Sequence, residues 1–185
     1  GHVSPSGKLT ASWPRTEGQI PVYYAHKPTG RPSAGAGTKQ FAEPFKSVYL
    51  DEPNSPLFPF GFGLSYTSFA YSDLQVAQPV VGLEETIQVT VTITNAGARA
   101  GVEIVQLYVS DVIASITRPV KELKGFQRVS LQAGERKTVH FALPVQDLGF
   151  IGPTMHYIVE PGQFTLWVGP DSERGLSTTV EVQAA

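Results

Sequence analysis

Thr86-Ile87-Gln88-Val89-Thr90-Val91-Thr92-Ile93-Thr94 decides the fold. Ile87, Val89, Val91 and Ile93 occupy every second position, with threonine or glutamine between them. Successive side chains of a β-strand point to opposite faces, so this stretch has one apolar and one polar face, as a half-buried antiparallel strand does. Downstream, Val102 to Ser110 places Val102, Ile104, Gln106 and Tyr108 on one face and Val105, Leu107 and Val109 on the other. With both faces largely apolar, that segment reads as a central strand buried on two sides.

Working outward, the same alternation predicts strands at Phe69 to Val76, Val120 to Ser130, Lys137 to Leu143, Met155 to Val159, Gln163 to Val168 and Thr178 to Val182. Turn residues punctuate them: Asn95-Ala96-Gly97, Ala133-Gly134-Glu135, Glu160-Pro161-Gly162 and Gly169-Pro170-Asp171. Short strands at this spacing form two packed sheets, a β-sandwich of immunoglobulin-like or fibronectin type III-like form. A short helical turn is expected at Val145 to Leu148, after Pro144. No stretch sustains helical amphipathicity and no internal repeat occurs, so the fold class is mainly β.

Upstream the texture changes. From Gly1 to about Phe62 the chain is crowded with proline, glycine and aromatic residues and keeps no period for more than a few positions. Long irregular stretches are uncommon within compact domains, so this arm is expected to lie against something else. Short strands are predicted at Lys8 to Trp13 and Gln19 to Tyr24, each needing a partner to satisfy its backbone and to bury Leu9, Trp13, Ile20 and Val22. The expected division is 1–62 for the arm and 63–185 for the sandwich.

The 185 residues suit one complete domain plus an appendage. The chain has no cysteine, which removes disulfides, thiolate metal sites and cysteine nucleophiles and fits either redox compartment. A net charge of −2 with no run of like charge offers nothing for nucleic acid. Apolar runs are strand-length and too short for a membrane-spanning helix of about 20 residues.

The search for chemistry starts with carboxylates, because glycosidases place two of them across a sugar, roughly 5 Å apart in retaining enzymes and further apart in inverting ones. Glu43, Asp73, Glu84, Glu85, Glu103, Asp111, Glu122, Asp147, Glu160, Asp171 and Glu173 sit mostly at turns or beside lysine or arginine, as a solvated rim does. Asp51-Glu52 stands apart, among aromatics in the arm. His2, His26, His140 and His156 are too scattered to give a paired metal site; His140 alternates toward solvent and His26 lies in a loop. Gly63-Leu64-Ser65-Tyr66 does not match a nucleophile elbow, and Gly61-Phe62-Gly63 lacks the strand-turn-helix setting of a phosphate loop. Tyr49, Phe58, Phe60, Phe62, Tyr66 and Phe69 form a dense aromatic run. It suits a plug between two domains better than a platform for sugar stacking.

Specific strings carry a resemblance. Pro5-Ser6-Gly7-Lys8-Leu9-Thr10-Ala11-Ser12-Trp13-Pro14-Arg15, Gly18-Gln19-Ile20-Pro21-Val22-Tyr23-Tyr24, Thr29-Gly30-Arg31-Pro32 and Tyr49-Leu50-Asp51 resemble the end of the second catalytic domain of family 3 glycoside hydrolases. Pro56 to Phe69, reading PLFPFGFGLSYTSF, resembles that family's passage into its C-terminal domain. Arg118-Pro119-Val120-Lys121-Glu122-Leu123-Lys124-Gly125-Phe126, with Leu131 to Glu135, resembles its fibronectin type III-like domain. The likeness is greatest to β-glucosidases of the bacterial periplasmic type.

The resemblance implies a sandwich preceded by an irregular arm from the end of an α/β sandwich domain. It implies a retaining β-glucosidase without metal or organic cofactor, whose aspartate nucleophile lies in a Ser-Asp-Trp-like motif of a barrel and whose acid/base glutamate lies upstream of Gly1. No Ser-Asp-Trp string occurs here; Ser72-Asp73 is followed by Leu74. No catalytic, cofactor-binding or metal residue is therefore expected in this chain, which alone should be inactive. Tyr49, Asp51, Phe58, Phe60 and Phe62 are expected at the rim of the active site or at the seam between domains. The implied partners are the catalytic domains, then a β-glucoside or oligosaccharide, then a second copy of the chain; nucleic acid and membrane are not among them. The implied location is periplasmic or secreted. A stand-alone carbohydrate-binding module and a protein-interaction or dimerisation domain are the competing readings.

Overall fold

The computed structural model describes residues 1–28, 30–31, 45–49 and 51–184. Glu43 and the stretch around Thr29 to Pro32, apart from Gly30 and Arg31, lie outside them. Among the described residues the strands, in chain order, are β1 (Phe69–Val76), β2 (Val80–Gly82), β3 (Thr86–Asn95), β4 (Gly101–Asp111), β5 (Glu122–Leu131), β6 (Arg136–Pro144), β7 (Phe150–Ile151), β8 (Tyr157–Ile158), β9 (Gly162–Gly169) and β10 (Leu176–Gln183). A 3-10 turn at Val145–Leu148 follows Pro144 as the sequence predicts.

One sheet has the order β1-β3-β6 and the facing sheet β2-β10-β9-β4-β5, while β7 and β8 make a small hairpin. All pairings are antiparallel except that of β2 with β10. The core lies between the sheets and is made by the alternating residues read from the sequence: Ile87, Val89, Val91 and Ile93 from β3, Val105, Leu107 and Val109 from β4, and Leu166 and Val168 from β9. Thr92, expected to face solvent, is only 8% exposed. It is paired with Ser72 on one side and Thr138 on the other in the middle of the three-stranded sheet, and those neighbours cover it. The short strands β2 and β7 were not signalled by any pattern of their own.

β4 sits between β9 and β5, as its two apolar faces require. Its outer face is closed by the arm. Neither arm segment forms the regular strand predicted for it. Lys8 to Trp13 instead runs beside 57–62 through Leu9 N–H to Phe62 O (2.8 Å), Gly61 N–H to Leu9 O (2.8 Å), Trp13 N–H to Phe58 O (2.8 Å) and Leu57 N–H to Trp13 O (2.8 Å). Glu17–Gln19 forms a 3-10 turn where a strand was predicted to begin. The partner each segment needed is thus partly within the arm, and Trp13 and Ile20 remain 54% and 65% exposed.

Candidate functional site

The sequence's aromatic run is divided by the structure. Phe58 and Phe62 lie four positions apart and pair with each other (centroids 4.9 Å), while Trp13 meets Phe58 edge-on at 6.3 Å. Phe60, midway between them at the turn where Gly61 takes a positive φ, stacks on Tyr24 at 4.2 Å and meets the edge of Tyr108 at 6.5 Å. Tyr24 also meets Tyr108 edge-on at 5.8 Å. These are the offset and edge-to-face arrangements that aromatic quadrupoles favour. Phe60 and Tyr24 therefore close the arm onto Tyr108, while Phe62 lies under the Arg174 guanidinium at 5.7 Å.

Polar contacts fix the register of this closure. Gln106, 3% exposed on the outer face of β4, donates to Gly61 O (3.1 Å) and Pro170 O (2.6 Å) and accepts from the Tyr108 hydroxyl (2.5 Å). Burial holds the Tyr108 hydroxyl protonated far above the usual tyrosine range. Gly61 has a φ of +80°, and a Cβ there would fall 2.1 Å from Gln106 Oε1, so glycine alone permits the approach. Ser172 N–H donates to Phe60 O at 3.0 Å. Lys121 Nζ donates to Ser172 O (2.6 Å) and lies over the Trp167 ring at 4.5 Å. Desolvation lowers its pKa, with Glu173 and Asp171 opposing.

A second tie joins the start of the arm to the edge of the core. Lys8 Nζ pairs with Glu103 at 2.9 Å and donates to Pro170 O at 3.2 Å, and the Tyr71 hydroxyl donates to the same Glu103 oxygen at 3.1 Å. Burial, then the charge of Glu103, raises the Tyr71 pKa, so its hydroxyl stays a donor. The other buried carboxylate, Asp171, caps its own loop by accepting from the backbone of Glu173 and Arg174 and pairing with the Arg174 guanidinium. Among the described residues both buried carboxylates are thus engaged by cations and donors of the fold.

Of the residues expected at a rim or seam, Phe58 and Phe62 pair with each other and Phe60 joins Tyr24 and Tyr108, whereas Tyr49 and Asp51 make no ring contact with either group. Tyr49 is 40% exposed and its N–H is held by Asn54 Oδ1 at 3.1 Å; Asp51 is exposed. Sequence reasoning missed Tyr24, Lys121 and Trp167. The signal available was Gln106 itself, an amide on a strand otherwise fit for complete burial. Among the described residues no three of His, Cys, Asp or Glu cluster to hold a metal. His140 and His26 are both exposed.

Comparison with known proteins defines the class first. Residues 103–172 match the fibronectin type III-like domain, which is the class of the β-sandwich. Across 174 residues, 94% of this chain and 22% of its relative, the identity with the periplasmic β-glucosidase of Salmonella typhimurium is 46%. With a β-xylosidase of Formosa agariphila it is 42% over 98% of this chain and 24% of that protein. The crystal structure of the Listeria innocua β-glucosidase in complex with isofagomine superposes with a TM-score of 0.91 at 45% identity, covering 100% of this chain and 25% of that one. The chain belongs to the family 3 glycoside hydrolases, matching the C-terminal portion of their β-glucosidases. It spans about a quarter of the length of the curated relatives it matches.

Proposed function

We propose that this chain is the non-catalytic C-terminal portion of a β-glucosidase, serving to stabilise and position the domains that carry the chemistry. The observation that supports this best is the two-sidedness of the arm. Its inner face is satisfied by the sandwich, yet its outer face leaves Trp13, Ile20, Tyr23 and Leu57 between 47% and 65% exposed. Large apolar groups gathered in this way mark a surface meant to be covered. The rest of the longer enzyme is the covering partner in this reading.

In that reading 1–62 is the trailing arm of the preceding α/β sandwich domain and 63–185 the fibronectin type III-like domain. Tyr49 and Asp51 reach toward the active-site rim, and Phe58, Phe60 and Phe62 form the seam. The complete enzyme would release terminal glucose from the non-reducing end of β-glucosides with retention. A β-xylosidase shares the same portion, which favours glycone selection elsewhere in the protein. A periplasmic or secreted location is supported by the name of one relative. Among the described residues no helix is long and apolar enough to cross a membrane. Contact with an oligosaccharide at the rim and self-association through the open face are secondary elements of the proposal, checked by calorimetric titration with cello-oligosaccharides and by light scattering.

The decisive experiment measures hydrolysis of p-nitrophenyl β-glucoside. The chain alone is expected to give no turnover, and activity is expected once the missing domains are joined to it. Robust turnover by the chain alone would overturn the proposal, as would inactivity of the complete protein toward every β-glycoside offered.

A further inference from the structure

We propose that Gln106 couples the arm to the sandwich as a single opening unit, so that residues 8–24 and 57–62 leave the sheet together or not at all. The inference is independent of the enzyme's identity and rests on how the contacts share residues. Both Nε2 hydrogens of Gln106 are used, one by Gly61 O in the arm and one by Pro170 O in the loop before β10, while its Oε1 holds the Tyr108 hydroxyl. Gly61 in turn donates to Leu9 O, which ties the second leg of the arm to the first. Phe60, its neighbour, accepts from Ser172 N–H and stacks on Tyr24, whose hydroxyl accepts from Leu123 N–H at 3.3 Å. The chain of contacts runs unbroken from Leu9 to Leu123.

Partial opening is the unfavourable state in this arrangement. Lifting 57–62 alone would strip Gln106 of a partner while Tyr24 stayed packed on the adjacent Tyr108 and Lys8 still reached Pro170 O, the other acceptor of Gln106. A buried donor left unpaired costs more than its bond contributes when made. Once the whole arm has left, water reaches the amide and the penalty vanishes. Such shared satisfaction is the physical basis of cooperative local unfolding.

Native-state hydrogen exchange on the whole chain, at increasing denaturant, tests this. The amides of Leu9, Trp13, Leu57, Gly61, Leu123 and Ser172 are expected to merge into one isotherm below that of the β3 amides. Gln106→Met, which keeps the volume and removes the donors, is expected to speed all six by a common factor of roughly tenfold or more, leaving β3 unchanged. Six separate isotherms, acceleration confined to Gly61, or equal acceleration of β3 would each overturn the proposal. Should Gln106→Met fail to fold, the isotherms of the unaltered protein decide the matter alone.

Discussion

The arm and the sandwich bury side chains by different means. In the sandwich, period-two alternation puts Val89, Val91, Ile93, Val105 and Leu166 at 0% exposure between two sheets, and the backbone satisfies itself through continuous ladders. In the arm, burial is one-sided. Phe60 and Gly61 pack inward on Gln106 and Tyr108, while Trp13 and Ile20 face out. A region with a core of its own can be read from local pattern; a region that borrows its core from the sandwich beside it cannot. The contrast also predicts where substitutions are felt.

The largest effect is expected in the shared core. Leu166→Ala should cost about 2–5 kcal/mol through lost burial and a residual cavity, and should loosen arm and sandwich together. Chemical denaturation measures it; a loss below about 1 kcal/mol would break the distinction. Next comes the seam. Gly61→Ala combines a left-handed backbone with a Cβ driven into the Gln106 amide, and about 2–4 kcal/mol is expected. Gly134, with φ +74° and open space around it, is the control: Gly134→Ala should cost only about 1 kcal/mol. In the double variant Gly61→Ala with Gln106→Ala the steric part disappears, so the two losses should sum to more than the loss measured together.

Lys8→Met leaves Glu103 buried with only the Tyr71 hydroxyl, and about 1–3 kcal/mol should be lost. On the outer face Ile20→Ser should change stability of the chain by less than about 0.5 kcal/mol, because that residue is 65% exposed. In the complete enzyme the same substitution should be felt more strongly, and equal effects in both would argue against a covering domain. The smallest effect concerns pH. Burial lowers the Lys121 pKa, so its charged form is disfavoured in the folded state and the penalty is relieved as pH rises through the lowered value toward the ordinary lysine range near 10.4. Relative to Lys121→Met, the unaltered chain should gain stability across that window; a relative loss would reverse the sign.

Much of the sandwich was legible because its longer strands each carry their own evidence, which the short β2 and β7 do not. β1 and the turn at Val145–Leu148 fall where the alternation and Pro144 place them. The bulge in β1 between Ser72 and Gln75, where Asp73 takes a φ of +54°, left no mark in the pattern. The arm was legible only as an exception to pattern. The dense aromatics raised the expectation of a rim or seam, but not that Phe60 packs on Tyr108 while Phe58 and Phe62 pair with each other. Tyr24 and Lys121 escaped notice because their partners lie far along the chain, at Tyr108, Trp167 and Ser172. Its irregular composition set the arm apart, and family strings supplied the expectation of where it belongs.

Limited proteolysis of the whole chain, with each product sized by mass spectrometry, tests the one-body account of arm and sandwich most directly. The account predicts that 57–68 resists cleavage and that the 8–24 segment stays bound to the sandwich after cuts elsewhere in the arm. Early release of a stable product beginning near Ser68 would contradict it.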